Sequence, residues 1–479
     1  MSAPLADSLA AAPAVRAARQ PLGARDDVWI VGGAVRDAAL GRDVVDVDLV
    51  VAGEAGAAAR EISSAVGGVA FSLSEEFGTW RALGPGWHVD ITSMRGGAIE
   101  ADLALRDFTI NSVAVPLADP GIAPIDPRRG LADLDARILR ATSDRSFGDD
   151  PLRVLRAARL ASVLKLDLEP RTVELARSSA DRAADPAGER QLAELRLLIT
   201  GPDPIRGLEL MGELDATAAV LPELEALRGV EQNPNHHLDV YGHTMEVLRR
   251  LLEVESDLDR YAGERAPEIA ALLAEPLADE LTRGGALRLG AVVHDIGKPA
   301  TRGLHGDYIT FIGHDREGAR IVGGLIRRLK ASRRLTRHLQ DLTLHHLRLG
   351  FLARERPLPR RREYEYLRDT DPVSADVTLL TVADRLAARG QGPIAGPEMV
   401  RAHLDLAREM LASALDWRRD GPPRSPIPGD ELAAELGIDP GPELGHIIGE
   451  VEGAVYAGEV SGRDDAVAFA RQLMSRAEG

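Results

Sequence analysis

The residues best suited to chemistry are two aspartates that lie two positions apart in an otherwise apolar run. Asp46 and Asp48 belong to Val44–Val51, which reads Val-Val-Asp-Val-Asp-Leu-Val-Val. On a β-strand, side chains at positions i and i+2 point to one face, so both carboxylates share a face while their apolar neighbours pack on the other. Neighbouring carboxylates repel each other unless a hard dication such as Mg²⁺ lies between them. The pair predicts a Mg²⁺ site or, more plainly, an exposed polar strand face.

A glycine pair upstream favours the Mg²⁺ site. Gly32 and Gly33 follow a short apolar run and precede a helical stretch that contains Arg36. Glycine lets a phosphate approach the backbone closely, a helix N-terminus favours an anion, and arginine adds a bidentate donor. A phosphate loop just before the carboxylate pair predicts two-metal nucleotidyl transfer, with Asp46 and Asp48 as the catalytic residues.

Histidines concentrate in the middle of the chain, where nine of the twelve fall between His236 and His346. The chain has no cysteine, so any metal must bind histidine, aspartate or glutamate. Imidazoles and carboxylates from separate helices suit Mn²⁺, Ni²⁺, Co²⁺, Fe or Zn²⁺. The ligands expected for such a site are His243, His294, Asp295 and Asp384.

A third pattern combines one aspartate with regularly spaced arginines. Asp150 is expected to cap a helix that has Pro151 in its first turn. Arginines then recur every three residues and form a cationic stripe, at Arg153, Arg156 and Arg159. Taken alone, this stripe predicts an amphipathic surface helix.

These residues need an α+β chain to position them. Short β-rich runs punctuated by glycine occupy residues 28 to 130 and predict a mixed α/β domain with helices between the strands. From residue 150 onward, apolar residues recur every three or four positions, which predicts helices to the end. We therefore expect five segments: a disordered lead-in over 1–25, an α/β head over 26–148, a helical neck and body over 149–230, an all-α metal-binding domain over 231–395, and a helical tail over 396–479.

Composition narrows the class of protein further. The absence of cysteine excludes disulfide frameworks, thiolate zinc sites and a cysteine nucleophile. No apolar run reaches the length of a membrane span, so we predict no membrane association and a cytoplasmic protein. The net charge of −17 disfavours nucleic-acid binding, but residues 320 to 368 carry fourteen basic and four acidic residues. This basic stretch predicts an anionic partner or a solvated helical face.

Several of these motifs together resemble one enzyme family. Gly32-Gly-Ala-Val-Arg-Asp37 followed by Asp46-Val-Asp48 looks like the beginning of tRNA nucleotidyltransferases and poly(A) polymerases. Arg106-Asp-Phe-Thr-Ile-Asn-Ser112 resembles a second family block, with Leu105 replacing an arginine and Ser112 an alanine. Asp149-Asp-Pro-Leu-Arg153 resembles a third, with Asp149 replacing a glutamate, and Glu189-Arg190 with Glu194-Leu195 resembles the block after it.

This resemblance implies a nucleotidyltransferase head with a polymerase-beta-like sheet, which uses Mg²⁺ to add C and A from CTP and ATP to the 3′ end of tRNA. It also implies nucleotide binding by Gly32, Gly33, Arg36, Arg106, Asp150, Arg153, Arg156 and Arg159. An aspartate acceptor beside an arginine donor matches the Watson–Crick edges of cytosine and adenine and mismatches those of uracil and guanine. Asp150 and Arg153 are therefore expected to read the base.

The histidine series resembles the HD phosphohydrolase superfamily in its order of His243, His294-Asp295 and Asp384. Gly313-His314-Asp315 and His345-His346 match the additional histidines of members that bind a second metal. The resemblance implies an all-α HD domain with metal-dependent phosphatase or 2′,3′-cyclic phosphodiesterase activity, or a scaffold that has lost its metal.

Three alternatives stay open at this point. The chain could add only CC, only A, or a poly(A) tract. It could be a regulatory nucleotidyltransferase with an HD domain that modifies a signalling protein, although the intact Arg106 and Asp150 blocks argue against this. It could also be an HD hydrolase with an inactive head, although both Asp46 and Asp48 are present.

Overall fold

The computed structural model describes residues 3–74, 78–392 and 396–477. The chain divides into two compact units, Met1–Val220 and Leu221–Gly479. The first unit contains a mixed sheet with helices, and the second is mainly helical. This α+β division agrees with the fold class predicted from the sequence.

The first unit is built on a six-stranded sheet in the order β3-β4-β5-β2-β1-β6. Strands β2 and β5 are parallel, and the other neighbours are antiparallel. Two further short strands, β7 and β8, pair separately. The strands are β1 (Val28–Val31), β2 (Asp46–Val51), β3 (Val69–Ser74), β4 (Thr79–Gly84), β5 (Trp87–Ser93), β6 (Ala114–Pro116), β7 (Ile138–Leu139) and β8 (Asp167–Leu168).

Helices cover the sheet and continue beyond it. They are α1 (Ala3–Ala11), α2 (Pro13–Leu22), α3 (Gly33–Ala39), α4 (Ala55–Val66), α5 (Ile99–Ala104), α6 (Gly130–Asp135), α7 (Ser146–Asp149), α8 (Arg153–Leu164), α9 (Pro170–Arg177), α10 (Gly188–Ile199), α11 (Pro204–Glu213) and α12 (Ala216–Val220). Short 3₁₀ helices span Thr109–Asn111 and Ala180–Arg182.

Alternation along β2 separates the core from the reactive face. Val47, Leu49 and Val51 are buried in the main core with α1, α2 and α4. The opposite face carries Asp46, Asp48 and then Val50, and Val50 packs in a smaller core with Ile99 and Leu103 of α5. Helix α5 therefore covers this face of β2 at Val50 but leaves Asp46 and Asp48 uncovered by this small core.

The predicted disordered lead-in is wrong, because residues 3–22 form α1 and α2. Ala14, Ala18 and Leu22 recur every four residues and are buried in the main core. Because small side chains bury little area each, the alanine-rich composition hid an amphipathic helix that packs tightly against the sheet.

The helix that carries the arginine stripe begins later than predicted. Asp150 has an extended backbone between α7 and α8, and α8 begins at Arg153. The Asp150 carboxylate still accepts a hydrogen bond from the Leu152 amide, at 3.3 Å. Helix α8 then packs against α10 and α11.

The second unit is a helical bundle with two small hairpins. Its strands are β9 (Pro276–Ala278), β10 (Leu281–Thr282), β11 (Gly303–His305) and β12 (Tyr308–Thr310). A 3₁₀ helix spans Gly263–Arg265. Its helices are α13 (Pro222–Glu225), α14 (Val240–Ser256), α15 (Leu258–Ala262), α16 (Ala266–Ala274), α17 (Arg283–Val293), α18 (Lys298–Thr301), α19 (His314–Arg328), α20 (Arg333–His345), α21 (Arg348–Leu352), α22 (Arg360–Thr370), α23 (Ser374–Ala387), α24 (Pro397–Asp420), α25 (Gly429–Leu436), α26 (Pro442–Ala457) and α27 (Arg463–Ala477).

Helices α14, α17, α20 and α23 pack together and bring distant histidines and aspartates into one place. The last three helices, α25 to α27, form a separate apolar core around Leu432, Val451 and Ala470. In the described part of the chain, no helix is both long and apolar enough to cross a membrane.

Candidate functional site

A group of carboxylates lies on the second face of the six-stranded sheet. Asp48 on β2 is directly opposite Asp90 on β5, and Asp46 is opposite His88. The His88 Nε2 atom lies 3.4 Å from Asp46 Oδ1. Burial raises the pKa of Asp48 to about 6, and the charges of Asp90 and Asp46 act in the same direction. This crowding of negative charge fits a bound divalent cation.

The glycine turn lies directly against this group. Gly32 has a φ of 71°, which favours glycine. A Cβ atom there would lie 3.1 Å from a guanidinium nitrogen of Arg106 and 3.4 Å from Asp48 Oδ2. The turn therefore leaves space beside Asp48 that any larger residue would fill.

Arg36 is held inside this loop. Its guanidinium group binds Asp37 through two hydrogen bonds of 2.8 and 2.9 Å and donates a third, of 2.8 Å, to Asn111 Oδ1. Its side chain is 13% exposed. Arg36 thus ties the start of α3 to the segment after Arg106.

Arg106 is the arginine whose charge acts most strongly on Asp48. It contacts Asp102 Oδ2 through Nε and Nη2, at 3.4 and 3.3 Å. Its charge opposes the upward pKa shift of Asp48. Arg106 and Gly32 therefore border the same space next to Asp48.

Two arginines of α8 share one buried glutamate. Arg156 Nε donates to Glu194 Oε1 at 2.8 Å, and Arg159 Nε donates to Glu194 Oε2 at 2.6 Å. Arg156 also donates to Asp107 Oδ2, at 3.2 Å. Although burial alone would raise the pKa of Glu194, Arg156 and Arg159 hold it below its ordinary value. These contacts fix α8 against α10.

Arg153 and Asp150 have separate partners. The Arg153 guanidinium donates to the carbonyls of Leu105, Arg106 and Ser146, at 3.0 to 3.4 Å. Asp150 Oδ2 instead accepts from Arg190 of α10, at 2.8 Å. Both predicted base-reading side chains are therefore held in place, but not by each other.

The second unit contains two groups of possible metal ligands. His243, His294 and Asp384 form one group, and Asp295, His314 and His346 form the other. Within each group, one ligand atom from every residue lies within 4.8 Å of the others. His243 Nε2 is 2.9 Å from Asp384 Oδ1, and His294 Nε2 is 3.2 Å from Asp295 Oδ2.

The ring orientations suit metal binding. The Nδ1 atoms of His294, His314 and His346 lie 2.7 to 2.9 Å from backbone carbonyls of Ala291, Phe311 and Thr343. Donation from Nδ1 leaves the Nε2 lone pair available to a metal. The Nε2 atoms of His314 and His346 are only 3.3 Å apart, an arrangement that a cation between them would stabilise.

The predicted ligand His345 lies outside these groups. His346 takes its place, whereas His345 Nδ1 accepts a hydrogen bond from Arg348 Nε at 2.9 Å. The two histidines are adjacent at the end of α20, and a helix turns by about 100° per residue, so only one can point to the ligand group.

Some residues at these sites had no signal of their own in the sequence. Asp90 is one of them, although its segment His88–Thr92 alternates like β2. Lys298 is another, and its ammonium group lies 2.6 Å from Asp295 Oδ2. His236 packs edge-on against His243, with ring centroids 4.5 Å apart. Only the fold brings these residues to the sites.

A cavity of about 560 Å³ opens beside both ligand groups. Its lining includes Asp295, His314, His346 and Asp384. His403 of α24 also lines it, and burial lowers the pKa of this ring to about 3. The cavity thus gives a small molecule access to the possible metal ligands.

Seven of the fourteen basic residues between Arg320 and Arg368 form close ion pairs. Partners come from outside the stretch as well as within it. The pairs are Arg320–Glu317, Arg328–Glu223, Arg348–Asp369, Arg356–Glu409, Arg361–Glu450, Arg361–Glu459, Arg362–Glu355, Arg362–Glu365 and Arg368–Asp369. Arg333, Arg334 and Arg337 are exposed on α20 and are the clearest remaining positive patch.

Comparison with known proteins identifies the domains that carry the carboxylate group and the two groups of possible metal ligands. Family models match in three places: the Poly A polymerase head domain over 28–140, the probable RNA and SrmB-binding site of polymerase A over 165–227, and the HD domain over 240–389. The A-adding tRNA nucleotidyltransferase of Deinococcus radiodurans is 35% identical over 94% of this chain and 96% of its own length. The chain belongs to the tRNA nucleotidyltransferase family.

Other tRNA nucleotidyltransferases are similar over nearly the whole length. The CC-adding enzyme of Thermus thermophilus is 32% identical over 92% of this chain and 93% of its own. Among solved structures, a Thermotoga maritima CCA-adding enzyme complexed with tRNA has a TM-score of 0.59 at 19% identity, covering 98% of both chains. A CCA-adding enzyme with ATP has a TM-score of 0.62 at 21% identity, covering 96% of this chain and 94% of its own. These structures share the fold.

Proposed function

We propose that this tRNA nucleotidyltransferase adds C and A to the 3′ ends of tRNA, using CTP and ATP. The observation that carries the proposal is the group formed by Asp46, Asp48 and Asp90 beside the open turn at Gly32. The names of relatives that add A or CC, and of solved CCA-adding enzymes, support the same substrates.

Asp46 and Asp48 are the residues that would hold Mg²⁺, with Asp90 directly beside Asp48. When bound, Mg²⁺ makes the 3′-hydroxyl a better nucleophile and neutralises charge on the departing pyrophosphate. The upward pKa shift of Asp48 supports this role, because burial and neighbouring carboxylates leave its charge poorly compensated by protein groups alone.

The protein's own residues position the two reactants. The backbone at Gly32 and Gly33 admits the triphosphate, and Arg106 lies where it can offset phosphate charge. Arg36 holds this loop in shape through Asp37 and Asn111. Nucleotidyl transfer depends mainly on such positioning and electrostatic stabilisation.

Base selection is assigned to Asp150 and Arg153. Asp150 can accept a hydrogen bond from an exocyclic amino group, and Arg153 can donate to the adjacent ring nitrogen. Arg190 holds the first side chain, and backbone carbonyls hold the second. Arg156 and Arg159 support them by fixing α8 through Glu194, with Arg156 close enough to influence Asp48 electrostatically.

A second activity is proposed for the HD domain, because two ligand groups lie beside one cavity. Buried imidazoles and carboxylates suit a divalent transition metal such as Mn²⁺, Ni²⁺, Co²⁺, Fe²⁺ or Zn²⁺. The proposed reaction is hydrolysis of phosphomonoesters or 2′,3′-cyclic phosphates at RNA ends. Hydrolysis of bis-p-nitrophenyl phosphate with each metal tests it, and no hydrolysis with any of them would reduce the domain to a scaffold.

Sequencing of RNA products tests the main proposal. The protein is incubated with Mg²⁺ and tRNA that lacks its 3′ CCA, with CTP, ATP or both, and the ends are sequenced. Complete CCA ends with both nucleotides are expected. CC alone or A alone would assign one of the partial activities, and no extension under any mixture would overturn the proposal. A cytoplasmic location belongs to the same proposal, because the substrates are tRNA, CTP and ATP.

A further inference from the structure

The open face of the β3–β4 hairpin continues the face that carries the carboxylates. Across the sheet, Phe71 on β3 pairs with Arg81 on β4, which pairs with Asp90 on β5, which pairs with Asp48 on β2. Directly paired residues of neighbouring strands point to the same face. The row therefore leads from an aromatic side chain to a proposed catalytic carboxylate.

A second row runs parallel to the first. It joins Val69 on β3, Leu83 on β4, His88 on β5 and Asp46 on β2. Both rows thus begin with apolar side chains and end at the two aspartates of β2. The opposite face of the same strands is buried, as Ala82 and Val89 show.

These apolar side chains are unusually exposed. Val69 is 62% exposed, Phe71 is 40% exposed and Leu83 is 38% exposed. Arg81 lies between Phe71 and the carboxylates and is held by two hydrogen bonds to Asp90, of 2.6 and 2.7 Å. Exposed apolar patches next to a reaction centre commonly bind a ligand. We call Val69, Phe71 and Leu83 the apolar strip.

The reaction geometry indicates which substrate reaches this strip. In phosphoryl transfer, the attacking and leaving oxygens lie roughly in line on opposite sides of the phosphorus. The phosphate loop follows β1, which borders β2 on one side, so the triphosphate lies on that side of Asp48. The attacking 3′-hydroxyl must then approach from the other side, where β5, β4 and β3 follow in order.

We propose that the apolar strip binds unpaired bases just upstream of the reacting 3′-hydroxyl of the RNA, with Phe71 stacking on one of them. Three strand spacings of about 4.8 Å place β3 roughly 14 Å from β2, a separation that a short single-stranded RNA segment spans. Aromatic side chains bind unpaired bases by stacking, with little dependence on base identity. This inference rests on the proposed function and deepens it by naming the surface for the RNA primer.

The binding of bases by the apolar strip is tested by measuring the KM of wild-type protein and Phe71→Ala for RNA primers that lack one base. The primers are tRNAs without CCA, each with an abasic nucleotide at one unpaired position near the 3′ end. For the unmodified primer, Phe71→Ala should raise the RNA KM about ten-fold, the size expected for one lost base stack, and leave the CTP KM unchanged. For one abasic primer, wild-type protein should show the same loss and Phe71→Ala no further loss.

Two variants serve as controls. Phe71→Trp keeps an aromatic ring and should restore the RNA KM. Ile122→Ala removes another exposed apolar side chain of the same unit and should change nothing, since Ile122 is 52% exposed on a loop away from the strip. An unchanged RNA KM in Phe71→Ala, or equal losses on every abasic primer, would overturn the proposal.

Photo-crosslinking keeps the proposal testable if Phe71→Ala does not fold. The full chain with p-benzoylphenylalanine at position 71 should crosslink to unpaired nucleotides at the 3′ end. Crosslinks found only elsewhere in the RNA, or none, would overturn the proposal. Failure of the wild-type protein to extend any RNA would instead overturn the proposed function, so the two failures differ in their result.

Discussion

Asp150, in the link before α8, accepts a hydrogen bond from Arg190 of α10, with 2.8 Å between Oδ2 and the guanidinium nitrogen. A proposed base-reading carboxylate is thus held by a residue 40 positions away along the chain. The other carboxylate oxygen accepts a hydrogen bond from the Leu152 amide, at 3.3 Å, so the side chain is oriented before any nucleotide binds.

Base selectivity should depend on Asp150. Asp150→Ala removes the acceptor for the amino group of cytosine and adenine, so the preference for CTP over UTP should fall at least ten-fold, while some polymer synthesis remains. Competition between CTP and UTP at the RNA end measures this. Asp144→Ala is the matched control, because Asp144 is exposed and pairs with Arg171. Unchanged rejection of UTP by Asp150→Ala would contradict the assignment.

Glu194 should stabilise the first unit in a pH-dependent manner. Its pKa lies below the ordinary value of 4.5, so the ionised form stabilises the fold at higher pH, and this stabilisation is lost as the pH falls through the folded-state pKa. At pH 7, Glu194→Ala should lower the free energy of unfolding by about 3 kcal/mol, because Arg156 and Arg159 lose a shared buried partner.

Urea unfolding between pH 3 and pH 7 measures this effect. In Glu194→Gln, the free energy of unfolding should fall less between pH 7 and pH 3 than it does in the wild-type protein. Glu209→Gln is the control, since its exposed ion pair with Arg206 spans 3.8 Å and should contribute little. Equal effects of the two substitutions would rule out a special role for Glu194.

His345 and His346 offer a matched pair for the HD site. His346→Ala should lower the metal content and bis-p-nitrophenyl phosphate hydrolysis by at least ten-fold, because its Nε2 faces His314 and Asp295. His345→Ala should retain both, because that ring contacts Arg348 instead. Elemental analysis after metal loading and dialysis gives the content. The reverse ranking would contradict the ligand assignment.

RNA binding should depend on the exposed arginines of α20 more than on ion-paired ones. Replacing Arg333, Arg334 and Arg337 together by glutamine removes three positive charges. If these side chains contact phosphates, the plot of the logarithm of the RNA association constant against the logarithm of salt concentration should become less steep by about two. The control neutralises three ion-paired residues of the same stretch, Arg356, Arg361 and Arg362. Equal slopes for both triple variants would exclude a specific role for α20.

Local patterns in the sequence predicted the parts of the site that depend on neighbouring residues. Asp46 and Asp48 share a face because strand alternation alone decides it, and the turn at Gly32 follows from the two glycines. Asp90 could not be predicted in the same way, because its place beside Asp48 depends on which strands pair. Strand pairing joins residues far apart in the sequence and is fixed by the whole sheet.

Three other differences between the sequence-based predictions and the structure have physical causes. The choice between His345 and His346 depends on the rotation of α20 where it ends, which a composition pattern does not resolve. The basic stretch looked strongly positive because its partners Glu223, Glu409 and Glu450 lie elsewhere in the chain. Helices α1 and α2 were missed because their alanine-rich composition hid the larger apolar side chains that they bury, among them Leu5, Leu9 and Leu22.

The most direct measurement of the central claim is single-turnover extension of tRNA lacking CCA, with labelled CTP and Mg²⁺. Asp48→Asn should slow extension by at least 10²-fold, because it removes a charge that acts at the reacting phosphate. Asp43→Asn, an exposed aspartate just before β2, and His294→Ala in the HD domain should both extend at the wild-type rate. Loss of extension in Asp48→Asn alone is the predicted result. Extension by Asp48→Asn at the wild-type rate would contradict the account.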